Sequence, residues 1–320
     1  MQSLNGKNVI VAGGAGFIGS NLSHFLVEKG ANVIVYDNCS AGKYDYIKDL
    51  EGKNGFKFIK QDLLDKDSFN KAVKESEADV IIHLVANPDI RKGYSNTKLD
   101  LEQGILTTYN VLESARLFNV KSIIFASSSA VYGNAAVLPT PETYGPLLPI
   151  SLYGSAKLAS EALISSFSNL YGIDYYIFRF ANVVGNRQTH GAIIDFVNKL
   201  KANPNELEVL GDGKQKKAYI DVMDCIDAML FVFQNSTSRS NLYNISTDEQ
   251  TSVAEIANKV IEKMRVKANI KYTNTKEGWP GDITNSFISN EKLKSLGWRP
   301  HMNSMQAIEH AIDLAIGASK

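Results

Sequence analysis

In the segment Tyr153-Gly154-Ser155-Ala156-Lys157 a phenol and an ammonium stand four residues apart at the start of a helical stretch. Residues at that spacing share a helix face, so both groups can flank one substrate atom. A free tyrosine, with a pKa of about 10, is a poor base near neutrality. A neighbouring Lys⁺ favours the phenolate and moves it toward working range. A Tyr four before a Lys is common by chance, so the pattern needs company. Upstream, apolar Ile123–Ala126 runs into Ser127-Ser128-Ser129 and then Tyr132-Gly133. Doubly wound folds place their chemistry at strand ends, where a serine hydroxyl can hold the same substrate oxygen. The plain alternative for a serine run is a polar turn.

A second group of residues reads as a phosphate cradle. Val9–Val11 leads into Ala12-Gly13-Gly14-Ala15-Gly16-Phe17-Ile18-Gly19, where a helix opens. Gly13, Gly16 and Gly19 fit GxxGxxG, and Gly14, Gly16 and Gly19 fit GxGxxG. Glycines let the backbone turn tightly and approach a pyrophosphate, and the helix N-terminus offers unpaired N–H groups. A second strand ends at Asp37, 18 residues beyond Gly19, where a dinucleotide fold expects an acid for the ribose hydroxyls. A carboxylate there repels a 2′-phosphate, which favours NAD over NADP, and an oxidised nicotinamide would also favour the Tyr153 phenolate. Taken alone, Asp37 also fits a turn residue at a strand end.

The elements that must position these groups follow from the hydrophobic rhythm. Strands are expected at Asn8–Ala12, Val33–Tyr36, Phe56–Ile59, Val80–Leu84 and Ile123–Ala126. Helices are expected at Phe17–Lys29, Ser68–Glu75, Leu99–Phe118 and Ser155–Tyr171. Buried strands alternating with helices signal a parallel sheet covered on both faces. Beyond Asn182 the rhythm loosens. Helices remain plausible at Ile193–Lys201, Val222–Phe233, Val253–Met264 and Met305–Ile316, with strands at Leu207–Leu210 and Leu242–Ile245. The expected class is α/β: a Rossmann-type doubly wound sheet over residues 1–180, with a return near 219–246, and a smaller mixed α/β substrate domain over 181–320.

Composition narrows the function. Lys plus Arg and Asp plus Glu are each 34, so the net charge is zero, against bulk attraction to nucleic acid or an anionic membrane. Two cysteines, Cys39 and Cys225, give no disulfide framework, and five scattered histidines give no metal-ligand spacing. No apolar run approaches the roughly 18 residues of a membrane span. A reducing, cytoplasmic setting is expected.

The ordered set of motifs resembles the extended short-chain dehydrogenase/reductase family, and within it the UDP-glucose 4-epimerase branch of nucleotide-sugar epimerases. The likeness is carried by GGAGFIG at 13–19, DN at 37–38, QDLLD at 61–65, VIIHLVA at 80–86 and SSSAVYG at 127–133. It continues with YGSAK at 153–157, RFANVVGNRQ at 179–188, GDGKQKKAYIDVMD at 211–224 and PGD at 280–282. The resemblance implies tightly held NAD, a nucleotide-sugar substrate and a homodimer built on the helices around Leu99–Phe118 and Ser155–Tyr171. It implies that Gly13, Gly16, Phe17 and Ile18 meet the pyrophosphate and that Asp37 and Asn38 hold the adenosine ribose. Asp62 and Leu63 would flank the adenine, and Leu84, Ala86, Ser127 and Phe180 would line the cofactor cleft. Tyr153 becomes the acid/base, Lys157 its electrostatic partner and Ser128 the substrate-oxygen ligand. Asn182, Ile193, Val209, Leu210, Gln215, Lys217, Asp282 and Ser286 match nucleotide-sugar positions.

The chain departs from the pattern at three places. Gly104 stands where relatives usually carry an Asn, Lys217 replaces a usual Arg, and Trp279 replaces another. Both lost arginines normally grip the diphosphate, and Arg187 is the expected substitute. Dehydratases of the family place an Asp-Glu pair after the catalytic Thr, where this chain has Ser129 and Ala130. A dinucleotide-sensing protein without turnover is the competing class, but a sensor needs the glycines and not the acid/base. His83, at a strand end, reads as structural.

Overall fold

The computed structural model describes residues 3–275, 277–279 and 281–317. Seven parallel strands form the central sheet. In chain order the first six are β1 (Asn8–Ala12), β2 (Asn32–Tyr36), β3 (Phe56–Ile59), β4 (Val80–His83), β5 (Ser122–Ser128) and β6 (Asp174–Phe180). In space the order runs from the strand Ser240–Ile245 through β6, β5, β4, β1 and β2 to β3. The chain winds outward from β1 to β3, then returns to the other side of β1 at β4. That reversal opens a crevice at the carboxyl ends of β1 and β4, where Ala12 is in register with His83.

The sheet strands are near-continuous apolar runs because helices cover both faces. Val9, Val11, Val33, Val35 and Ile82 face one core, and Ile10, Ile81, Ile123 and Phe125 face the other. A separate cluster of Val184, Phe196, Val209, Ile256 and Ile308 forms between the later helices.

Two differences from expectation bear on the central sheet and the helices packed beside it. β6 was not anticipated, although Tyr175-Tyr176-Ile177-Phe178 is a β-prone aromatic run. The helix expected over Leu99–Phe118 is broken into Thr97–Asp100, a wide π-type turn at Leu101–Leu106 and Thr107–Leu117. The Thr107 hydroxyl donates to Gln103 O at 2.8 Å and the Thr108 hydroxyl to Gly104 O at 2.7 Å. Such side-chain bonds compete with the regular helix ladder. Gly104 is bare for a packing reason: a Cβ there would lie 2.7 Å from the Cβ of Ala156 on the helix Leu152–Tyr171.

Candidate active site

The glycine turn follows β1 as expected. Gly13 has φ +84°, a conformation that favours glycine, and a Cβ on it would meet the Val85 nitrogen at 3.1 Å. The helix Phe17–Glu28 starts at Gly16 with no side-chain cap and no acid in its first turn. The N–H groups of Phe17 and Ile18 therefore open the helix without a capping side chain, as an anion site requires. A Cβ on Gly16 would meet Gly13 O at 3.2 Å and nothing else within 4 Å. The space above the turn is thus open to a ligand and would be filled by a side chain.

Asp37 is buried beside this turn. Its carboxylate accepts the Ala15 N–H at 2.9 Å and the Cys39 N–H at 2.7 Å. Burial raises its pKa, and those two backbone bonds pull it back. Asp37 therefore ties the glycine turn to the loop after β2. Asn38 donates to Asp62 at 2.7 Å, and Asp62 also accepts the Leu64 N–H at 2.8 Å. Leu63 is buried, with its carbonyl bonded to Asn110. Leu84 is fixed by its N–H to Ala12 O at 2.9 Å, and Ala86 is half-buried just beyond it. These placements fit a dinucleotide along the carboxyl edge from β1 to β3.

Across the crevice, Ser151 caps the helix Leu152–Tyr171 by accepting the Gly154 N–H at 3.1 Å. Gly154 lets the helix settle on the exit of β5, since a Cβ would sit 2.7 Å from Ala130 O. Tyr153 and Lys157 then face the end of β5 on successive turns. Lys157 is 4% exposed, and its Nζ donates to Ala126 O at 2.6 Å. The same Nζ lies 5.7 Å from the Tyr153 ring centroid. Burial pushes Lys157 down to about 7, against the pull of Glu161 and Asp100. Burial pushes Tyr153 up to about 12, opposed by the Ser128 hydroxyl and reinforced by Asp100. The Ser128 hydroxyl thus lowers the phenol's pKa, and the Lys157 ammonium donates to the Ala126 carbonyl beside it.

Four sequence-based site residues sit elsewhere than expected. Ser127 precedes Ser128 on β5, so its side chain points to the opposite face; its hydroxyl is committed to Glu161. Ile193, at 1% exposure, and Val209 are core residues among Val184 and Phe196. Arg187 packs on the helix Phe17–Glu28. Its guanidinium nitrogens lie 3.1 and 3.3 Å from the ring nitrogens of His24, which itself meets Asp49 at 2.9 Å. The reason is local: Arg187 has φ +64°, and the Asn21 amide grips the Asn186 carbonyl beside it at 2.9 Å.

The remaining substrate positions do gather. Lys217 pairs with Asp282 at 2.7 Å and lies 5.2 Å from the Trp279 ring. Ser286 is in register with Lys217 on the adjoining strand. Leu210 and buried Gln215 border the same place across Gly278. Pro280 lies outside the described residues. Asn182 pairs with Tyr219 in register, and Phe180 closes β6 opposite Ser128.

Sequence reasoning missed the buried polar groups behind Lys157. Glu161 and Arg179 form a two-pronged ion pair at 3.0 and 2.6 Å. Asp100 is buried and bonded to Asn87 at 3.2 Å. His83, read as structural, is buried with Nε2 at 3.0 Å from the Thr108 hydroxyl, and burial holds it down at about 3. Glu161 stands four residues after Lys157, the helical spacing that would have revealed it.

A sheet with a glycine turn on one side of its reversal and a phenol and ammonium on the other is built for hydride chemistry on a bound dinucleotide. The model of the NAD dependent epimerase/dehydratase family matches residues 9–246, and the chain belongs to that family. A putative UDP-glucose 4-epimerase of Methanocaldococcus jannaschii is 31% identical over 310 residues, covering 95% of this chain and 97% of that protein. A solved UDP-galactose 4-epimerase superposes with a TM-score of 0.87 at 36% identity, covering 97% of this chain and 99% of the other. The UDP-glucose 4-epimerase of Thermus thermophilus in complex with NAD gives 0.86 at 30% identity, over 97% and 99%. NAD is the cofactor of the family, and the cradle fits it.

Proposed function

We propose that the chain is an isomerase that interconverts a nucleotide sugar and its C4 epimer, with UDP-glucose and UDP-galactose as the leading pair. The observation that carries this reading is the convergence of Ser128, Tyr153 and Lys157 at the carboxyl end of β5. NAD, held by the glycine turn at Gly13 and Gly16 with Asp37, would supply the hydride acceptor and donor for sugar C4. Tyr153 takes the proton of the 4-hydroxyl as C4 is oxidised and gives it back as the 4-keto sugar is reduced. Ser128 holds that oxygen and stabilises the phenolate; Lys157 contributes charge beside it. The turned-over keto sugar stays within one closed cycle, so the cofactor ends unchanged.

Elimination is the family's other chemistry, and Ser129 and Ala130 disfavour it here. Ala130 is buried and cannot move a proton. Ser286 is small beside Lys217, which supports N-acetylated UDP-sugars as additional substrates. A homodimer belongs to the same reading: Leu106, Tyr109, Leu117, Leu170 and Tyr171 are exposed on the two helices implied for it.

The test is incubation of the purified protein with a panel of UDP-, GDP- and dTDP-sugars and resolution of the products. A C4 epimer is expected. A stable 4-keto-6-deoxy sugar, seen by its alkaline absorbance, would replace this reading with a dehydratase; bound NAD that no sugar nucleotide reduces would replace it with a sensor.

A further inference from the structure

The helix Leu152–Tyr171 covers one face of the sheet, where its Ile164 joins Ile123 and Phe125 of β5 and Ile177 of β6 in one apolar cluster. Two residues further along each strand, on the same face, Ser127 and Arg179 stand in register. Both reach Glu161, three residues before Ile164. Glu161 accepts the Ser127 hydroxyl, the Arg179 Nε–H at 3.0 Å and an Arg179 Nη2–H at 2.6 Å. The guanidinium lies 4.7 Å from the centre of the Tyr132 ring. All three side chains are buried.

For stability alone this cluster is a poor choice. Apolar residues of similar volume often hold a buried site as well as an ion pair does, without the cost of desolvating charge. Apolar contact is also non-directional, so the seam at Ile164 tolerates a small rotation or slide of the helix. The hydrogen bonds at Glu161 do not, because each needs its own direction and they come from two strands at once. What they hold in place is on the same helix face. Tyr153, Lys157 and Glu161 follow one another at intervals of four, so any rotation moves all three together. Helix and strand meet at two adjacent residues of β5: Lys157 Nζ donates to Ala126 O at 2.6 Å, and Glu161 accepts from Ser127. Ser128 comes next on the strand.

We propose that Glu161 is a positioning residue of the reaction: held by Ser127 and Arg179, it locks the helix against β5 and β6 in the rotation that sets Tyr153 and Lys157 at the end of β5. It acts through those two side chains and not on the reacting atoms. The proposal rests on the acid/base reading of Tyr153 and Lys157.

Replacing both members of the ion pair separates position from stability. In the double variant Glu161→Met, Arg179→Met no buried charge is stranded, so Tm should stay near wild type, while the directed link to Ser127 is lost. The kcat for epimerisation, measured well below Tm, should fall about tenfold or more, since a 1 Å misplacement can cost about 10²-fold. The KM for the sugar nucleotide should change little, because the Lys217 region is untouched. A folded double variant with wild-type kcat overturns the proposal, as does one that raises KM alone. If the double variant does not fold, Ser127→Ala decides: it removes one hydroxyl and leaves the ion pair whole, and kcat should again fall about tenfold at unchanged KM. Wild-type kcat in Ser127→Ala then overturns the proposal. Tyr153→Phe is the control. Full turnover in that variant removes the acid/base reading and the proposal with it, whereas an inactive Tyr153→Phe beside a fully active Ser127→Ala removes the proposal alone.

Discussion

The regions around Tyr153 and around Lys217 handle their polar groups in opposite ways. At Tyr153 the reactive side chains are held by backbone: Lys157 by Ala126 O, the helix start by the Ser151 cap, Ser128 by the Ala130 N–H at 3.2 Å. Hydrogen-bonding capacity is left over in both regions among the described residues, at Asp100 Oδ2 and His83 Nδ1 here and at Gln215 Oε1 and Trp279 Nε1 beside Lys217. At Lys217 the side chains hold one another. Its ammonium is neutralised by Asp282 at 2.7 Å, and Trp279 covers it. On the proposed function, the groups at β5 are set in advance, whereas a diphosphate at Lys217 would have to displace the Asp282 carboxylate. Such an exchange costs ground-state affinity and leaves the chemistry at β5 untouched.

The sharpest break of this contrast is at Tyr153. Tyr153→Phe keeps the ring packing and deletes the transferable proton, and kcat should fall by roughly 10²–10⁴-fold. Lys157→Met should also lower kcat, by a smaller factor, because Ser128 still supports the phenolate. In both variants KM should change little. A Tyr153→Phe variant with wild-type turnover in a steady-state epimerisation assay removes the chemical site from β5 altogether.

At the other region, the expected loss is in binding. Lys217→Ala removes the cation and should raise the KM for the sugar nucleotide by about tenfold or more, with kcat less affected, since ground and transition states hold the diphosphate alike. Arg187→Ala separates the two accounts of the missing arginines. Its guanidinium stands over His24 and near Asp49, so KM should stay near wild type and Tm should drop slightly. An Arg187→Ala KM that rises as far as that of Lys217→Ala would mean that Arg187 swings to the diphosphate when substrate binds.

The same contrast explains what the sequence disclosed. β1 to β5 were legible because sheet strands buried on both faces write continuous apolar runs, and the glycine turn because backbone approach constrains residue type. Tyr153 and Lys157 were legible through helical spacing. β6 is harder to read because the charged Arg179 interrupts its apolar run one residue before the end, and that residue is buried through its pair with Glu161. Asp100 is hard to read because its burial depends on a helix distorted at Leu101–Leu106 and its one hydrogen-bond partner among the described residues is Asn87, 13 positions earlier. Ile193 and Val209 are expected at the nucleotide sugar from the family resemblance and Arg187 as a substitute for the lost arginines; the first two lie in the core and Arg187 packs on His24. Side-chain pairs between distant segments leave no periodic trace, so the region around Lys217 was the least legible.

The smallest effect expected is at Ser286. Its strand, Asn285–Ser286, runs parallel to Lys216–Lys217, which puts Ser286 level with the Lys217 backbone. A serine there leaves room, and the acetamido group of an N-acetylhexosamine is a plausible occupant in size and polarity. Ser286→Tyr fills the space without touching Tyr153 or the glycine turn. A misfit of a few heavy atoms in a pocket is worth about 1–3 kcal/mol, or 10–200-fold. The kcat/KM ratio of UDP-N-acetylglucosamine to UDP-glucose should therefore fall within that span, with the value for UDP-glucose nearly unchanged. A ratio that does not move, or a wild type that refuses the N-acetyl sugar, would place the C2 substituent away from Ser286. The chemical site would stand, and the selectivity would have to be sought on the other walls around Lys217, at Leu210 or Gln215.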